Sequence, residues 1–156
     1  MNAKNRDIAF LIFPAVALVV FGFAAKTRPP ALLLEAVTAN PVAQLSHKRE
    51  AGVAVHLTVR YQAPSMLQQF LAKPQLDIDL NKLVLVTDSG QEFVPDEKSN
   101  SSFDSEGNQR YSVDLGCSLS AVPRSAKQVT LRVPITVDNK IEFPFYVMVR
   151  GAGTPR

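Results

Sequence analysis

Apolar residues recur at every second position through most of this chain, and one long run near its start has no period at all. In 52–62, Val53, Val55, Leu57, Val59 and Tyr61 alternate with Ala54, His56, Thr58 and Arg60. A period of two predicts a half-buried antiparallel strand. Leu76, Ile78 and Leu80 then oppose Asp77 and Asp79. The phase slips at Asn81-Lys82, where a bulge is expected, and Leu83 and Leu85 resume the inner face. Asp88-Ser89-Gly90 reads as a hairpin turn, with Glu92-Phe93-Val94 starting the return. Tyr111, Val113, Leu115, Cys117 and Leu119 share one face of a further strand. The last pair is the clearest. Val129, Leu131, Val133, Ile135 and Val137 alternate, and so do Ile141, Phe143, Phe145, Val147 and Val149 after Asp138-Asn139. A two-residue turn would set 137 opposite 140, 135 opposite 142 and 133 opposite 144. Pro144 has no N–H for a hydrogen-bonded pair, so the ladder is expected to break or bulge near Phe143-Pro144. Pro134 would point its missing N–H away from this partner, which suits a strand whose other side is an edge.

Other segments break the alternation. In 63–74, Pro64 suits a first helical turn and Met66, Leu67, Phe70 and Leu71 fall on one helical side, predicting a helix of about two turns. The fifteen residues 95–109, PDEKSNSSFDSEGNQ, read as a polar loop. Residues 26–44 read as a juxtamembrane section. Within it "LLLEAVTANPVAQLS" is either a strand interrupted at Asn40-Pro41 or a short amphipathic piece, and Pro41 would confine a strand to a sheet edge. Residues 151–156 are expected to be a mobile tail. Seven or so short strands with one short helix predict an all-β antiparallel sandwich over 45–150.

The run without a period is 8–25, eighteen residues with no charge. As a helix it would reach roughly 27 Å, about the thickness of a bilayer core. A soluble core helix would show a polar stripe, and this one shows none. Lys4 and Arg6 precede it, and Gly22 and Ala24 would suit leader cleavage. The run is longer than the usual ~7–15-residue core of a leader, so an uncleaved anchor is expected. Its lipid-facing residues would be Ile8, Phe10, Leu11, Ile12, Phe13, Val16, Leu18, Val19, Val20, Phe21 and Phe23. Pro14 reads as a tolerated kink. Basic residues flank both ends, Lys4 and Arg6 before and Lys26 and Arg28 after. The short basic tail 1–7 ahead of the run places the N-terminus in the cytoplasm and the large domain on the extracytoplasmic (periplasmic) side of the cell membrane.

Charge changes this picture little. The chain carries a net charge of +3, and the part after the anchor has 15 basic against 13 acidic residues, scattered. That is not a nucleic-acid footprint. Cys117 is the only cysteine, so neither an internal disulfide nor a cysteine metal cage can form, and its strand phase points it into the core. His56 lies on an outward face with no nucleophile or carboxylate near it in sequence, and reads as a surface histidine. Asp77, Asp79 and the acidic residues of 95–109 could ligate Ca²⁺ through oxygen. They lack the spacing of a calcium loop and read as solvated carboxylates. The run HKRE, 47–50, reads as a solvated turn in preference to a lipid contact. No cofactor and no small-molecule substrate is identified.

The strands "GVAVHLTVRY", "LVLVTDSGQEFVP", "VPRSAKQVTLRVPI" and "IEFPFYVMV" together resemble the immunoglobulin-like domains that many bacteria carry behind one N-terminal span or lipid anchor. The likeness covers roughly 45–150 and lies in strand grammar. There is no Trp and no cysteine pair of the antibody type. It implies an immunoglobulin-like sandwich after a single transmembrane helix, binding proteins or supporting a larger assembly. The expected function is a non-enzymatic, single-span accessory or interaction subunit of a membrane complex. Its partners would be the bilayer and other membrane proteins. Leu32, Leu33, Leu34, Tyr146 and Met148 are the candidate partner contacts. The alternative is an extracytoplasmic domain that binds a ligand or ion through 95–109.

Overall fold

The computed structural model describes residues 28–45, 50–65, 68 and 73–151. The chain divides into two compact units, Met1–Pro30 with Ala63–Ala72, and Ala31–Gln62 with Lys73–Arg156. The second unit is all-β, with two antiparallel five-stranded sheets among the described residues. In the first sheet the order is β1 (Ala31–Leu45), β2 (Glu50–Gln62), β8 (Arg110–Ser118), β6 (Lys98–Asn100), and β7 (Asp104–Gly107) also pairs with β8. In the second the order is β10 (Ile141–Arg150), β9 (Val129–Val137), β4 (Val84–Thr87), β5 (Glu92–Phe93), and β3 (Leu76–Ile78) also pairs with β9.

The alternating positions make the core. Val53, Val55, Leu57 and Val59 of β2 lie across from Cys117, Leu115, Val113 and Tyr111 of β8. All but Tyr111 are buried, as are Val129, Leu131, Val133, Ile135 and Val137 of β9. Opposed residues of an antiparallel pair share a face, so each sheet presents a continuous apolar side and the two bury them together as a sandwich.

Strand pairing reaches back to Ala31, through the segment 26–44 that read as juxtamembrane. It is an edge strand, and Pro41 sits opposite Val53 within it. The ladder slips twice, between Leu34 and Ala36 and between Val42 and Leu45. The polar stretch 95–109 is not a free loop either. Its β6 and β7 lie end to end along β8. Ser101 ties the gap between them, donating its N–H to Asp114 O at 2.9 Å and accepting the Asp114 N–H on Oγ at 3.0 Å. An edge strand needs no apolar face, and polar residues there discourage pairing with other chains.

The second sheet has the same split. β3 pairs with residues 135–137 of β9, and β4 with 129–132. Between them is a 3-10 turn, Leu80–Lys82, where a bulge was expected. Asp79 caps it, accepting the Asn81 N–H at 3.0 Å. This interruption falls opposite Val133 and Pro134. β9 is therefore paired on both sides, with β10 on one and with β3 and β4 on the other, so its other side is not an edge, and Pro134 is accommodated because the neighbouring ladder is broken where its N–H is missing.

The final hairpin also differs in register. Asp138 and Asn139 have φ of 51° and 54°, and Lys140 N–H donates to Val137 O at 3.0 Å. Ile141, not Lys140, then lies opposite Val137, and Pro144 faces Pro134. The ladder runs without a slip past Phe143 and Pro144, and its irregularity is at Met148/Arg150. A proline pair fits an unbroken ladder only at a non-hydrogen-bonded site, where N–H groups point outward. The register expected from a two-residue turn would have set Glu142 opposite buried Ile135. A one-residue shift brings Phe143 there instead and keeps Phe143, Phe145, Val147 and Val149 on the core side.

No helix among the described residues is long and apolar enough to cross a membrane. The anchor expected at 8–25, the tail 1–7, the run 46–49 and residues 152–156 lie outside the described residues. So does most of the helix expected at 63–74. Its described part has the Gln68 N–H donated to Ser65 Oγ at 3.2 Å.

Candidate functional site

The outer side of β10 exposes two large apolar side chains. Alternation sends Val147 and Val149 inward and leaves Tyr146 61% and Met148 58% exposed. In the register, Tyr146 lies across from Arg132 and then Val84, while Met148 lies across from Thr130 and then Val86. Arg132 is held at the border by Glu92, Nη1 to Oε1 at 3.2 Å. The face is thus a short apolar strip beside an ion pair, on an edge strand, and Tyr and Met are both residue types enriched at interfaces.

The other expected contacts divide. Leu32 is buried at 6% exposure opposite Tyr61, so it belongs to the core and not to a partner surface. Leu33 is exposed opposite Arg60, and Leu34 lies opposite buried Val59 on the core side but is uncovered at the sheet edge. β1 and β10, the edge strands of the two sheets, touch one another. The five residues therefore do not form one patch.

Glu35 sits at the first slip of β1, and its carboxylate bridges Arg60 and Arg110, each at 2.5 Å from Nε. Those arginines face each other across β2 and β8. Glu35 relieves their repulsion, and its hydrogen bond and charge push Arg110 further up. The bulge thus fastens the edge strand to two neighbours. Nothing in the spacing of 35, 60 and 110 announces this cluster, which needs the strand pairing to be known.

His56 was also incompletely legible. Its Nδ1 lies 2.8 Å from Asp114 Oδ1 across β2 and β8, so an orienting carboxylate is present. Thr38 of β1 is its other cross-strand neighbour. The pair stands in water on a sheet face, with side chains 45% and 75% exposed. A proton-transfer site depends on a protected, positioned substrate, and this open face provides no enclosure.

Cys117 is buried, and burial pushes its thiol up to about 12, the opposite of an activated nucleophile. Burial also raises Tyr61 and Tyr111, with the Asp138 charge adding to Tyr61 and Tyr61 to Tyr111. Three of the carboxylates considered for Ca²⁺ are engaged locally. Asp77 Oδ1 accepts the Ile78 N–H at 2.8 Å, Asp79 caps the 3-10 turn, and Asp96 accepts from Ser120 Oγ at 2.7 Å. Among the described residues no three His, Cys, Asp or Glu are grouped to hold a metal ion.

The arrangement defines an antiparallel β-sandwich with an apolar edge-strand face. No family model, curated protein or solved structure matches the chain.

Proposed function

We propose that this protein is a non-enzymatic interaction subunit, anchored in the cell membrane by 8–25, whose sandwich contacts a protein partner outside the cytoplasm. The observation that carries the reading is the pair Tyr146 and Met148, about three-fifths exposed and adjacent on the outer face of edge strand β10. Large apolar side chains placed together on a surface gain free energy when a partner covers them. The strand orders β1-β2-β8-β6 and β10-β9-β4-β5 correspond to the ABED and GFCC′ orders of immunoglobulin-like domains, which supports placing the fold among them. The anchor is supported by the length and uniform apolarity of 8–25.

The test is purification of the full chain in mild detergent, with and without Tyr146→Ser and Met148→Ser. The parent is expected to co-purify with a membrane protein in fixed proportion, and the double variant to lose it while melting at the same temperature. A parent that is a lone monomer at every detergent strength overturns the reading.

A further inference from the structure

The strands on the rims of the two sheets are guarded unequally. β3, β5, β6 and β7 each carry charge: Asp77, Glu92, Lys98, and Asp104 with Glu106. Charged side chains on a rim discourage pairing with another chain. β10 is charged only at its ends, at Glu142 and Arg150, and its stretch 143–149 is FPFYVMV. On β1 the stretch 36–42, AVTANPV, is uncharged too. β1 and β10 touch, so the two unguarded rims lie on one flank of the sandwich.

The register shows which backbone groups of β10 are open to a further strand. Pro144 faces Pro134 at a non-hydrogen-bonded site. The pattern alternates, so Phe145 and Val147 bond to β9, while the N–H and C=O groups of Tyr146 and Met148 point away from it. Pro144 offers a carbonyl but no N–H and closes this span at its N-terminal end. Among the described residues β10 has no partner strand besides β9. The side chains around the span are apolar and incompletely covered. Tyr146 and Met148 stand on the outer face. On the core side Phe143 and Phe145 are half-buried. Leu34 and Val37 of β1 remain 37% and 42% exposed, although they lie opposite buried Val59 and Leu57.

We propose that the free edge of β10 over 145–148 accepts a strand from another protein, an extended, uncharged segment that pairs with the outward N–H and C=O groups of Tyr146 and Met148. This rests on the reading above that β10 meets a protein partner, and it names how that partner binds. Added strands draw affinity from main-chain bonds and specificity from alternate side chains. Successive residues of such a segment point to opposite faces, one set beside Tyr146 and Met148, the other beside Phe145 on the flank shared with β1. A charged residue in either set would lose water next to groups that carry no opposite charge. Pairing of this kind depends little on salt.

The test is hydrogen–deuterium exchange, resolved to single residues, on the full chain in mild detergent. The probes are the uncharged peptide acetyl-TVIVTVT-amide and its charged counterpart acetyl-TKIKTKT-amide. In the lone chain the Tyr146 and Met148 amides should exchange fast and those of Phe145 and Val147 slowly. Saturating uncharged peptide should slow Tyr146 and Met148 by about tenfold or more, and the lysine peptide should leave them unchanged. No slowing with the uncharged peptide, while the parent chain still co-purifies with a membrane protein, overturns strand addition and leaves the interaction reading standing. No slowing and no co-purification remove both. Equal slowing by the lysine peptide overturns the uncharged partner. Slow exchange already in the lone monomer shows that the chain covers its own edge, and slow exchange confined to a homodimer shows that a second copy does; either overturns the proposal. Tyr146→Pro removes an outward N–H and leaves the β9 ladder intact, so it should bind the uncharged peptide roughly two- to tenfold more weakly than Tyr146→Thr. Equal binding by the two variants overturns backbone pairing.

Discussion

Gly52 is the position where one added methyl group has the most predictable effect. It is buried in β2, between Val42 of β1 and Ser118 of β8. A Cβ there would lie 2.8 Å from the Cys117 carbonyl oxygen and 2.8 Å from Leu45 Cδ1. The leucine can rotate, but the carbonyl belongs to the central strand β8 and cannot retreat without disturbing the Val53–Cys117 row. Forcing a methyl into such a site costs about 1–3 kcal/mol. Restricting the unfolded chain returns about 0.4–1 kcal/mol, leaving a net loss of roughly 1–2 kcal/mol for Gly52→Ala. For a domain of this size that lowers the melting temperature by about 3–10 °C. Gly116 is the control. Its Cβ would meet Ser99 Oγ at 3.0 Å and Leu45 Cδ1 at 3.5 Å, both ends of side chains that can move. Gly116→Ala is expected to be nearly neutral. Urea denaturation of the parent and both variants, followed by tyrosine fluorescence, measures the difference. A Gly52→Ala protein as stable as the parent, or a Gly116→Ala protein affected more, would refute the reasoning.

Cys117 should resist thiol reagents at pH 8 in the folded chain and react on unfolding, which thiol titration with and without denaturant checks. Because burial raises its pKa from 9.0 to about 12, the folded state keeps a proton that the unfolded state loses. Stability contributed by this group is complete below pH 9 and declines by about 1.4 kcal/mol per pH unit above it, until about 12. Denaturation midpoints at pH 8 and 10 test the sign, and a rise would contradict it. Asn139→Gly should raise stability by about 0.5–1 kcal/mol, because φ of 54° at an exposed turn position favours glycine. An unchanged or lower denaturation midpoint would count against it.

The core was legible because burial imposes a period. Val53 to Tyr61 and Val129 to Val137 alternate for no other reason than that one side faces apolar neighbours. The short edge strands β6 and β7 and the bulged β1 carry less of that constraint, whereas edge strand β10 keeps its alternation because Val147 and Val149 are buried. β6 and β7 have the composition of a loop because only one of their edges and little of their surface is buried. β1 was ambiguous because a bulge at Glu35 and a proline at 41 disrupt its alternation. The surface clusters were invisible for a different reason. Glu35 with Arg60 and Arg110, and His56 with Asp114, join residues far apart in sequence through strand pairing, which local pattern does not encode.

The final hairpin shows that some of what was missed was nonetheless present. Turn chemistry at Asp138-Asn139 favoured the two-residue connection, while the alternation of both strands demanded that Phe143, Phe145 and Val147 face Ile135, Val133 and Leu131. The two signals conflict by one residue. The turn keeps its left-handed geometry, with φ of 51° at Asp138 and 54° at Asn139, at a cost of at most about 1–2 kcal/mol for each residue. Turning Phe143, Phe145 and Val147 to water would forfeit roughly 1.5–3 kcal/mol for each side chain that is fully buried, and a part of that for the half-buried phenylalanines. Burial therefore sets the register, Lys140 is the residue left over in the connection, and the prolines at 134 and 144 meet where neither is asked for an N–H. Where local turn preference and long-range face matching disagree, the contribution summed over a whole strand decides. That same sum leaves Tyr146 and Met148 on the outside, since the register that buries their neighbours commits them to the opposite face.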